Sequence, residues 1–424
     1  MIDDESPDGI SSAQADYSPI SDAYVPPTGG LTPLPSVFDE ASDDHDIGTT
    51  PFDNASRAAS KRFLASRKSL PGEWLAPRSP TKLAMRRFKK NKLAVGGAIV
   101  AGLLYFFALF APFLAPYDYI TQSDNSYQPP VRIHWSGGPI IYQTTWAFNE
   151  YQERVYADDL THSEHVKLFV RGDKYKIFGL LPCVWHLFGV SGSQRIHILG
   201  TDQLGRDYLS RVLYGSQISL SVGILAVIIS FGIGLVVGGI SGFYGGILDD
   251  IIMRICEIVM SIPDLYLLIA LAAFLPSTIS PILSYVLITV ILAFVGWAGM
   301  ARIVRGMVLS ARELQYVEAA RALGVSDSRI IMRHVVPVTF TFAIVQASLA
   351  IPGYMLAEAG LSFLGVGIRD PVPSWGNLLA TGEGITNLIH RPWILYPGLL
   401  IFISTLSINF VGDGLRDALD PKTK

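Results

Sequence analysis

The sequence has little cysteine and lacks the short motifs that mark most enzymes. Only two cysteines, Cys183 and Cys256, occur among its 424 residues, and neither has the paired spacing of a metal or redox site. The chain contains no GxxxxGK[ST] phosphate loop, no HExxH zinc motif and no GxSxG nucleophile elbow. We therefore expect no catalytic residue, no bound cofactor and no metal in this chain.

Charge is also scarce. Charged residues make up 16% of the chain and hydrophobic residues 50%, and the mean hydropathy is +0.37, which is too apolar for an ordinary soluble domain. The basic residues border apolar runs instead of forming the aromatic and basic patches that bind nucleic acid. This composition predicts a membrane protein with lipid, and not nucleic acid, as a partner.

The first sixty residues contain few large apolar side chains and are rich in Asp, Ser, Pro and Gly. Such a segment cannot bury enough apolar surface to offset its loss of conformational entropy, so residues 1–60 are predicted to be a disordered acidic tail. They do not resemble a secretory signal, because the first apolar run begins only near Leu93. Residues 61–92 form a basic segment between the tail and that run.

Apolar runs of about twenty residues, the length that crosses a bilayer as a helix, occur six times. The second, fourth, fifth and sixth of these contain essentially no ionisable residue, which argues against binding sites for a coupling ion inside the membrane. The predicted spans are residues 93–115, 218–240, 251–275, 282–300, 338–357 and 394–411.

The basic residues predict the orientation of these spans, because short loops rich in Lys and Arg stay in the cytoplasm. A dense basic cluster at 82–92 precedes the first span. With six spans, both termini are then cytoplasmic, residues 116–217 are external, and Cys183 and Cys256 lie in different compartments, where no disulfide joins them. The segment 302–337 is also cytoplasmic and carries Arg302, Arg305, Arg312, Arg321, Arg329 and Arg333.

The external segment mixes β-branched and aromatic residues with polar ones in runs such as 140–148 and 165–178. Such runs are typical of short strands. We expect a small external insert, about 121–195, with α+β as one option for its fold. The residues between this insert and residue 217 lead into the second span. Residues 218–424 form the rest of the membrane core.

Two weaker features lie inside the spans. Gly234 and Gly238 have the spacing that allows two membrane helices to approach closely, although ordinary glycine enrichment explains such a pair equally well.

Asp264 follows Pro263 in the third apolar run. An acid at membrane depth suggests a functional site, but we favour a proline kink that brings Asp264 and Glu257 to water.

The stretch EAARALGVSDSRIIMRHVVP, residues 318–337, is polar although it lies between two very apolar runs. Its first residues are good helix formers, and Gly324 can adopt the left-handed conformation that ends a helix. Ser326 and Asp327 can cap and charge the start of a second helix. Pro337 suits the first turn of the fifth span. Composition alone fits equally well with a basic loop lying on lipid headgroups.

The spacing of Glu318, Ala319, Ala320, Gly324 and Pro337 resembles the EAA loop of the membrane subunits of ABC importers. His334 and Val336 depart from the general pattern, and His at that place resembles the peptide-transporting branch. Further stretches are similar to the dipeptide, oligopeptide and nickel permeases of the "C" type. These stretches are residues 197–223, 357–367, 373–379 and 409–421. Together with residues 83–97, they extend the resemblance over roughly 83–421, apart from the insert.

The resemblance implies an all-α polytopic membrane protein with six helices in the type I ABC importer permease fold. It implies a prokaryotic inner-membrane subunit that pairs with a second, homologous permease to import peptides delivered by an extracytoplasmic binding protein. Two cytoplasmic ATPase subunits would use ATP and Mg and dock on a coupling loop. In this chain the resemblance assigns that loop to Glu318, Ala319, Ala320, Arg321, Gly324, Asp327 and Pro337.

Other functions stay open at this point. The same machinery in similar proteins imports nickel or other small solutes. An ion-coupled secondary transporter would need buried acids or broken helices at mid-membrane. A membrane-anchored receptor would leave five of the six spans without a purpose.

Overall fold

The computed structural model describes residues 80–420, apart from 136–137, 151–153, 178, 180, 191, 193–194 and 277. The predicted acidic tail at 1–60, and the basic segment as far as residue 79, lie outside the described residues. In chain order the helices are α1 (Pro80–Lys90), α2 (Lys92–Leu109), α3 (Ala111–Leu114), α4 (Tyr208–Tyr244), α5 (Gly246–Ser261), α6 (Asp264–Ala273), α7 (Pro281–Arg312), α8 (Gln315–Ala322), α9 (Asp327–Ile330), α10 (Val336–Phe363), α11 (Trp375–Ala380), α12 (Ile385–His390) and α13 (Tyr396–Leu419).

Five of the described helical segments are long and apolar enough to cross a membrane, and the bent pair α5–α6 makes a sixth if it counts as one span. Their positions agree with the six apolar runs of the sequence. Helix α4 is much longer than the predicted 218–240, and α7 continues to Arg312, through the first part of the 302–337 segment. The extra turns contain polar residues whose partners come from distant parts of the chain.

The third span is broken at Pro263. Ile262 and Pro263 have extended backbone conformations, and the axes of α5 and α6 form an angle of 85°. Proline lacks the N–H of the helical ladder and disfavours a helical conformation at the preceding residue. Asp264 begins α6, where a carboxylate interacts favourably with the helix dipole, and Glu257 pairs with Arg254 at 2.7 Å. Both acids are exposed, and the predicted proline kink is confirmed.

Helices α4 and α7 approach each other closely at Gly234 and Gly238. A Cβ atom at Gly238 would lie 2.3 Å from the carbonyl oxygen of Ala301, and one at Gly234 would lie 2.6 Å from the Cγ of Met300. Both distances are shorter than any real Cβ contact, so only glycine fits. The small-residue spacing therefore marks a helix contact.

The insert between α3 and α4 contains a four-stranded antiparallel sheet with the strand order β1-β2-β3-β4. The first part of β3 pairs with β2 and its second part pairs with β4. Strands are the only regular elements among the described residues of the insert, so this part is all-β and not α+β. The strands are β1 (His134–Trp135), β2 (Pro139–Phe148), β3 (Arg154–Ile177) and β4 (Leu181–Val190).

Helix α4 separates the insert from the loop between α7 and α10. At its start, the Tyr117 N–H donates to Ser210 Oγ, and Thr201 N–H donates to the Gln128 carbonyl, which tie the segments beside the sheet to this end. At its other end, Phe243 packs against Val317 and Ala320 of the loop. At about 1.5 Å per residue, the 37 residues of α4 span about 55 Å, more than the hydrocarbon core of a bilayer.

We expect that Gly238→Ala destabilises the protein by about 1–3 kcal/mol, because the new methyl group would overlap the backbone of α7. The matched control is Gly239→Ala, since a Cβ at Gly239 has no atom within 4 Å. Thermal unfolding of both purified variants in detergent measures the difference. Equal unfolding midpoints for the two variants would contradict the close contact.

Candidate functional site

The loop between α7 and α10 contains the turn that the sequence predicts at Gly324. Gly324 has φ of +73°, a left-handed conformation that glycine adopts without strain. Its N–H donates to the Arg321 carbonyl at 3.0 Å, and the Val325 N–H donates to the Ala320 carbonyl at 3.1 Å. These two bonds form a Schellman motif at the end of α8. The predicted sequence of helix, glycine turn and helix is confirmed.

Ser326 lies at the start of α9, but it does not cap the helix as expected. Its backbone is extended, as a capping residue requires, and Asp327 lies in the first turn. The Ser326 side chain makes no capping bond, and the Arg329 N–H instead donates to the Ser326 carbonyl at 2.9 Å. The expected hydroxyl cap is therefore wrong. The first turn of α9 relies on backbone bonds and on the charge of Asp327.

Pro337 lies in the first turn of α10, as predicted. The helical path does not begin there, however, because a π-helical turn at Ile331–Val335 joins α9 to α10. The Val336 N–H donates to the Ile331 carbonyl across this turn. Wide turns of this kind accompany an interrupted hydrogen-bond ladder, which the missing N–H of Pro337 causes here.

Buried apolar side chains fix the loop to three spans. Val317, Ile330 and Val335 have no exposed surface, and Ala320 is 8% exposed. They belong to one apolar cluster with residues at the ends of α4, α7 and α10, namely Phe243, Val304, Val308, Ala311 and Ala343. A displacement of α8 therefore acts on all three spans, because close-packed side chains transmit it.

The opposite face of the loop is exposed. Of the seven residues that the resemblance assigned to the loop, Ala320 alone faces the core, and the other six are exposed: Glu318, Ala319, Arg321, Gly324, Asp327 and Pro337. Two apolar residues missed by the sequence reasoning share this exposure, Leu323 at 82% and Met332 at 69%. Sequence periodicity gave no signal for Leu323, because it lies three residues after the buried Ala320.

Arg321 does not pair with Glu318, although their spacing allowed it. The ion pairs of the described residues do not include these two side chains. The Arg321 guanidinium instead lies 5.6 Å from the ring centroid of Phe243, within the range of a cation–π contact. Arg312 Nη1 donates to the Gly242 carbonyl at 3.1 Å. Arg321 thus connects the loop to the end of α4, and Arg312 connects the end of α7 to it.

An ion pair with a buried carboxylate lies close to the same end of α4. Asp249 of α5 accepts hydrogen bonds from Nε and Nη2 of Arg305 in α7, at 2.8 and 2.5 Å. The Ser241 hydroxyl of α4 donates to the same carboxylate. Three spans are joined here by residues far apart in the sequence, so periodicity could not reveal the pair.

In the part of the chain that the structure describes, no cluster of His, Cys, Asp or Glu could hold a metal ion.

At the other end of α4, two arginines and two aspartates form a second charge cluster. Arg206 Nε lies 2.6 Å from Asp202 Oδ2, and Arg211 Nη2 lies 2.7 Å from Asp370 Oδ1. Arg206 also approaches Asp370 at 3.0 Å. Asp202, Arg206 and Arg211 are at most 3% exposed, whereas the Asp370 side chain is half exposed. The cluster fixes the segment after α10 to the start of α4.

A fully buried acid, Glu358, lies one residue beyond the predicted fifth span. Ser219 Oγ donates to its carboxyl group at 3.1 Å, and Ser362 Oγ donates at 2.7 Å. Helix α10 extends to Phe363, so Glu358 lies in the helix but outside the predicted run. The runs 218–240, 282–300 and 338–357 themselves contain no acid or base; Arg211, Arg305 and Glu358 lie in the additional turns of the longer helices.

Two family profiles match the chain. Residues 234–424 match the binding-protein-dependent transport system inner membrane component, and residues 79–130 match the N-terminal TM domain of oligopeptide transport permease C. The oligopeptide transport system permease protein OppC of Bacillus subtilis is 33% identical over 88% of this chain and 97% of its own length. This chain therefore belongs to the family of binding-protein-dependent transport system inner membrane components, and it is a multi-pass membrane protein.

Other relatives carry related names. The dipeptide transport system permease protein DppC of Bacillus subtilis is 33% identical over 82% of this chain and 87% of its own. The glutathione transport system permease protein GsiD of Pectobacterium atrosepticum is 41% identical over 55% of this chain and 75% of its own. Among solved structures, an inward-facing form of the MetNI methionine ABC transporter is 21% identical, with a TM-score of 0.36, over 50% of this chain and 96% of that one.

The charge cluster beside α4 predicts a pH dependence. Burial raises the pKa of Asp370, but the Arg211 and Arg206 guanidinium groups outweigh this effect and hold the pKa below its ordinary value. Because the folded pKa is the lower one, the ionised Asp370 stabilises the fold above the unfolded pKa of about 4. That stabilisation is lost as the pH falls through the folded pKa.

We therefore expect Asp370→Asn to unfold at a lower temperature than the wild type at pH 7. The difference should narrow as the pH falls below about 4, where this carboxyl group takes up a proton in the unfolded chain, and it should be lost as the pH falls through the lower folded pKa. Unfolding midpoints across this range measure it. A difference that stays constant down to about pH 3 would contradict the ion pairing of Asp370.

Proposed function

We propose that this chain is the membrane-spanning permease subunit of an ATP-driven ABC importer of peptides. With a second, homologous permease it forms the translocation pathway, and an extracytoplasmic binding protein delivers the substrate. Membership of the binding-protein-dependent family and the names of OppC, DppC and GsiD support peptides as the substrate class. The observation that carries the proposal is the loop at 313–335, which is exposed on one face and packed into three spans on the other.

In this proposal the exposed face of α8 and the Gly324 turn receives force from a cytoplasmic ATPase subunit. Two such subunits bind ATP and Mg and close on each other, while this chain binds no cofactor and catalyses no reaction. Val317, Ile330 and Val335 then transmit the displacement of the loop to the ends of α4, α7 and α10. Because these side chains are close-packed, the helices move with the loop and open the pathway towards the other side of the membrane.

Both termini and the loop lie in the cytoplasm in this proposal, and the sheet of the insert lies outside. The basic cluster at 82–92 and the arginines at 302–333 support this orientation. Helix α4 lies beside the sheet at one end and beside the loop at the other. If the loop is in the cytoplasm, the sheet is therefore on the external side of the membrane.

Single cysteines test the orientation in a variant without Cys183 and Cys256. Leu160 in the sheet is 71% exposed and Leu323 in the loop is 82% exposed, so either position accepts a maleimide. We expect a membrane-impermeant maleimide to label Leu160→Cys in intact cells, and to label Leu323→Cys only after the cells are permeabilised. Labelling of Leu323→Cys in intact cells would overturn the orientation.

Gly324→Asp tests the coupling function. Aspartate tolerates the left-handed conformation better than most residues, and a Cβ at Gly324 has no atom within 4 Å, so the chain should still fold and insert. The new charged side chain enters the surface that contacts the ATPase. We expect substrate uptake in reconstituted vesicles to be abolished, and the ATPase subunits to be lost from the purified complex.

Gly365→Asp is the matched control. Gly365 has φ of +76° and equally open surroundings, but it follows α10 at the end remote from the loop. We expect this variant to retain the ATPase subunits. Glu318→Lys should have a milder effect than Gly324→Asp, because contacts of exposed charges contribute only about 0.2–1 kcal/mol. Normal uptake by Gly324→Asp at normal expression would refute the coupling role of the loop.

A further inference from the structure

One half of the insert lies against the end of the first span. This hairpin comprises the second half of β3 together with β4, residues 166–190. The rings of Phe169 and Phe113 have centroids 6.2 Å apart, and His186 Nδ1 lies 2.5 Å from the Ala115 carbonyl oxygen. The Asp118 N–H donates to the Asp173 carboxylate at 3.0 Å. Because the first span ends with α3 at Leu114, the hairpin lies where the chain leaves the membrane.

The hairpin exposes large apolar side chains. Leu168 is 69% exposed, Phe169 59%, Leu181 64% and Trp185 43%. Phe169 also has φ of +55°, a strained conformation for a bulky side chain. It brings the Phe169 ring beside Phe113 at the end of the first span. The exposed apolar residues extend along the hairpin, from Leu168 opposite Phe188 to Leu181 opposite Ile177, and an exposed apolar surface marks a site for a partner or a membrane.

The charge of the hairpin is strongly positive. Its sequence holds four basic residues and one acid, Asp173. The acid already accepts the Asp118 N–H, whereas the basic side chains are exposed and take part in no ion pair among the described residues. The guanidinium of Arg171 lies 5.1 Å from the ring centroid of Trp185. The four basic residues are Lys167, Arg171, Lys174 and Lys176.

The apolar surface of the first span leads directly to this hairpin. In α2, Phe106, Phe107 and Leu109 are between 44% and 52% exposed, and such residues on a spanning helix face lipid or another helix. Phe113, in the short helix α3 that follows α2, contacts Phe169 of the sheet. Tryptophan is enriched at the boundary between hydrocarbon and headgroups, and the hairpin exposes Trp185.

We propose that the hairpin at 166–190 is a lipid-binding surface that rests on the membrane beside the end of the first span. The four bases contact anionic phosphate headgroups, and Leu168 and Phe169 enter the boundary of the acyl chains. Positive charge facing anionic lipid and the continuity with the spanning helix both favour lipid as the occupant. The proposal concerns the insert and is independent of the coupling role of the loop.

Two leucines of β3 provide a matched test. Leu168 and Leu160 are 69% and 71% exposed, but Leu160 lies in the part of the strand beyond β4. Each is changed to Cys in the full-length chain carrying Cys183→Ser and Cys256→Ser, labelled with bimane, and placed with its co-purified subunits in nanodiscs. Quenching by brominated lipid chains reports contact with lipid, and quenching by iodide reports contact with water.

We expect brominated lipid to quench the label at Leu168→Cys and not the label at Leu160→Cys, with iodide acting in the opposite sense. Equal iodide quenching at both positions would overturn the proposal, because the hairpin would then face water. A label at Leu168→Cys that neither agent quenches would also overturn it, because a protein surface, such as a second permease or a binding protein, would then cover the hairpin.

Lipid charge tests the role of the basic residues. We expect more quenching at Leu168→Cys in brominated phosphatidylglycerol than in brominated phosphatidylcholine. Adding Lys174→Glu and Lys176→Glu should abolish that difference. Both lysines are exposed, so the double variant should elute as the parent does in size-exclusion chromatography. Equal quenching in both lipids before these changes would overturn the role assigned to the bases.

Discussion

The close contact between α4 and α7 is the constraint on which the rest of the structure depends. Gly234 and Gly238 bring the two helices so near that the backbone of α4 meets Met300 and Ala301. At one end of α4, Arg211 belongs to the charge cluster with Asp370. At the other end, Phe243 belongs to the apolar cluster that holds the loop. Because packed glycine contacts leave little freedom for sliding, the loop and the far charge cluster are attached to one rigid pair of helices.

Ionic contacts are placed where these helices end. Asp249 and Arg305 join α5 to α7 close to the loop, and Arg211 and Asp370 join α4 to the segment after α10. Arg211 and Asp249 are the buried members of these pairs, and removing the partner of either leaves a buried charge without compensation, which costs more than the intact pair contributes. The pairs therefore restrict which arrangements of the helices are accessible, and force applied to the loop reaches spans whose relative positions are already defined.

The sequence predicted the spans and the Gly324 turn because both depend on local properties, namely apolar run length and the conformational freedom of glycine. It underestimated the lengths of α4, α7 and α10, because Arg211, Arg305 and Glu358 look unsuitable for a membrane helix until their distant partners are known. A long-range partner also determines the position of Arg321, which does not pair with Glu318 although the two lie three residues apart. The ring of Phe243, far away in the sequence, lies within reach of the guanidinium.

The junction between loop and fifth span differs from the rest of the loop in how it can deform. From Asp327 to Phe363 the path is one helical segment, but the π turn at Ile331–Val335 and the missing N–H of Pro337 interrupt its hydrogen-bond ladder. A cavity of about 400 Å³ lies beside this point, between Leu314, Thr339 and Phe342. The Schellman turn at Gly324, by contrast, has its backbone bonds satisfied. The regular helical hydrogen-bond ladder is therefore weakest at the π turn, between the closed Gly324 turn and the rest of α10.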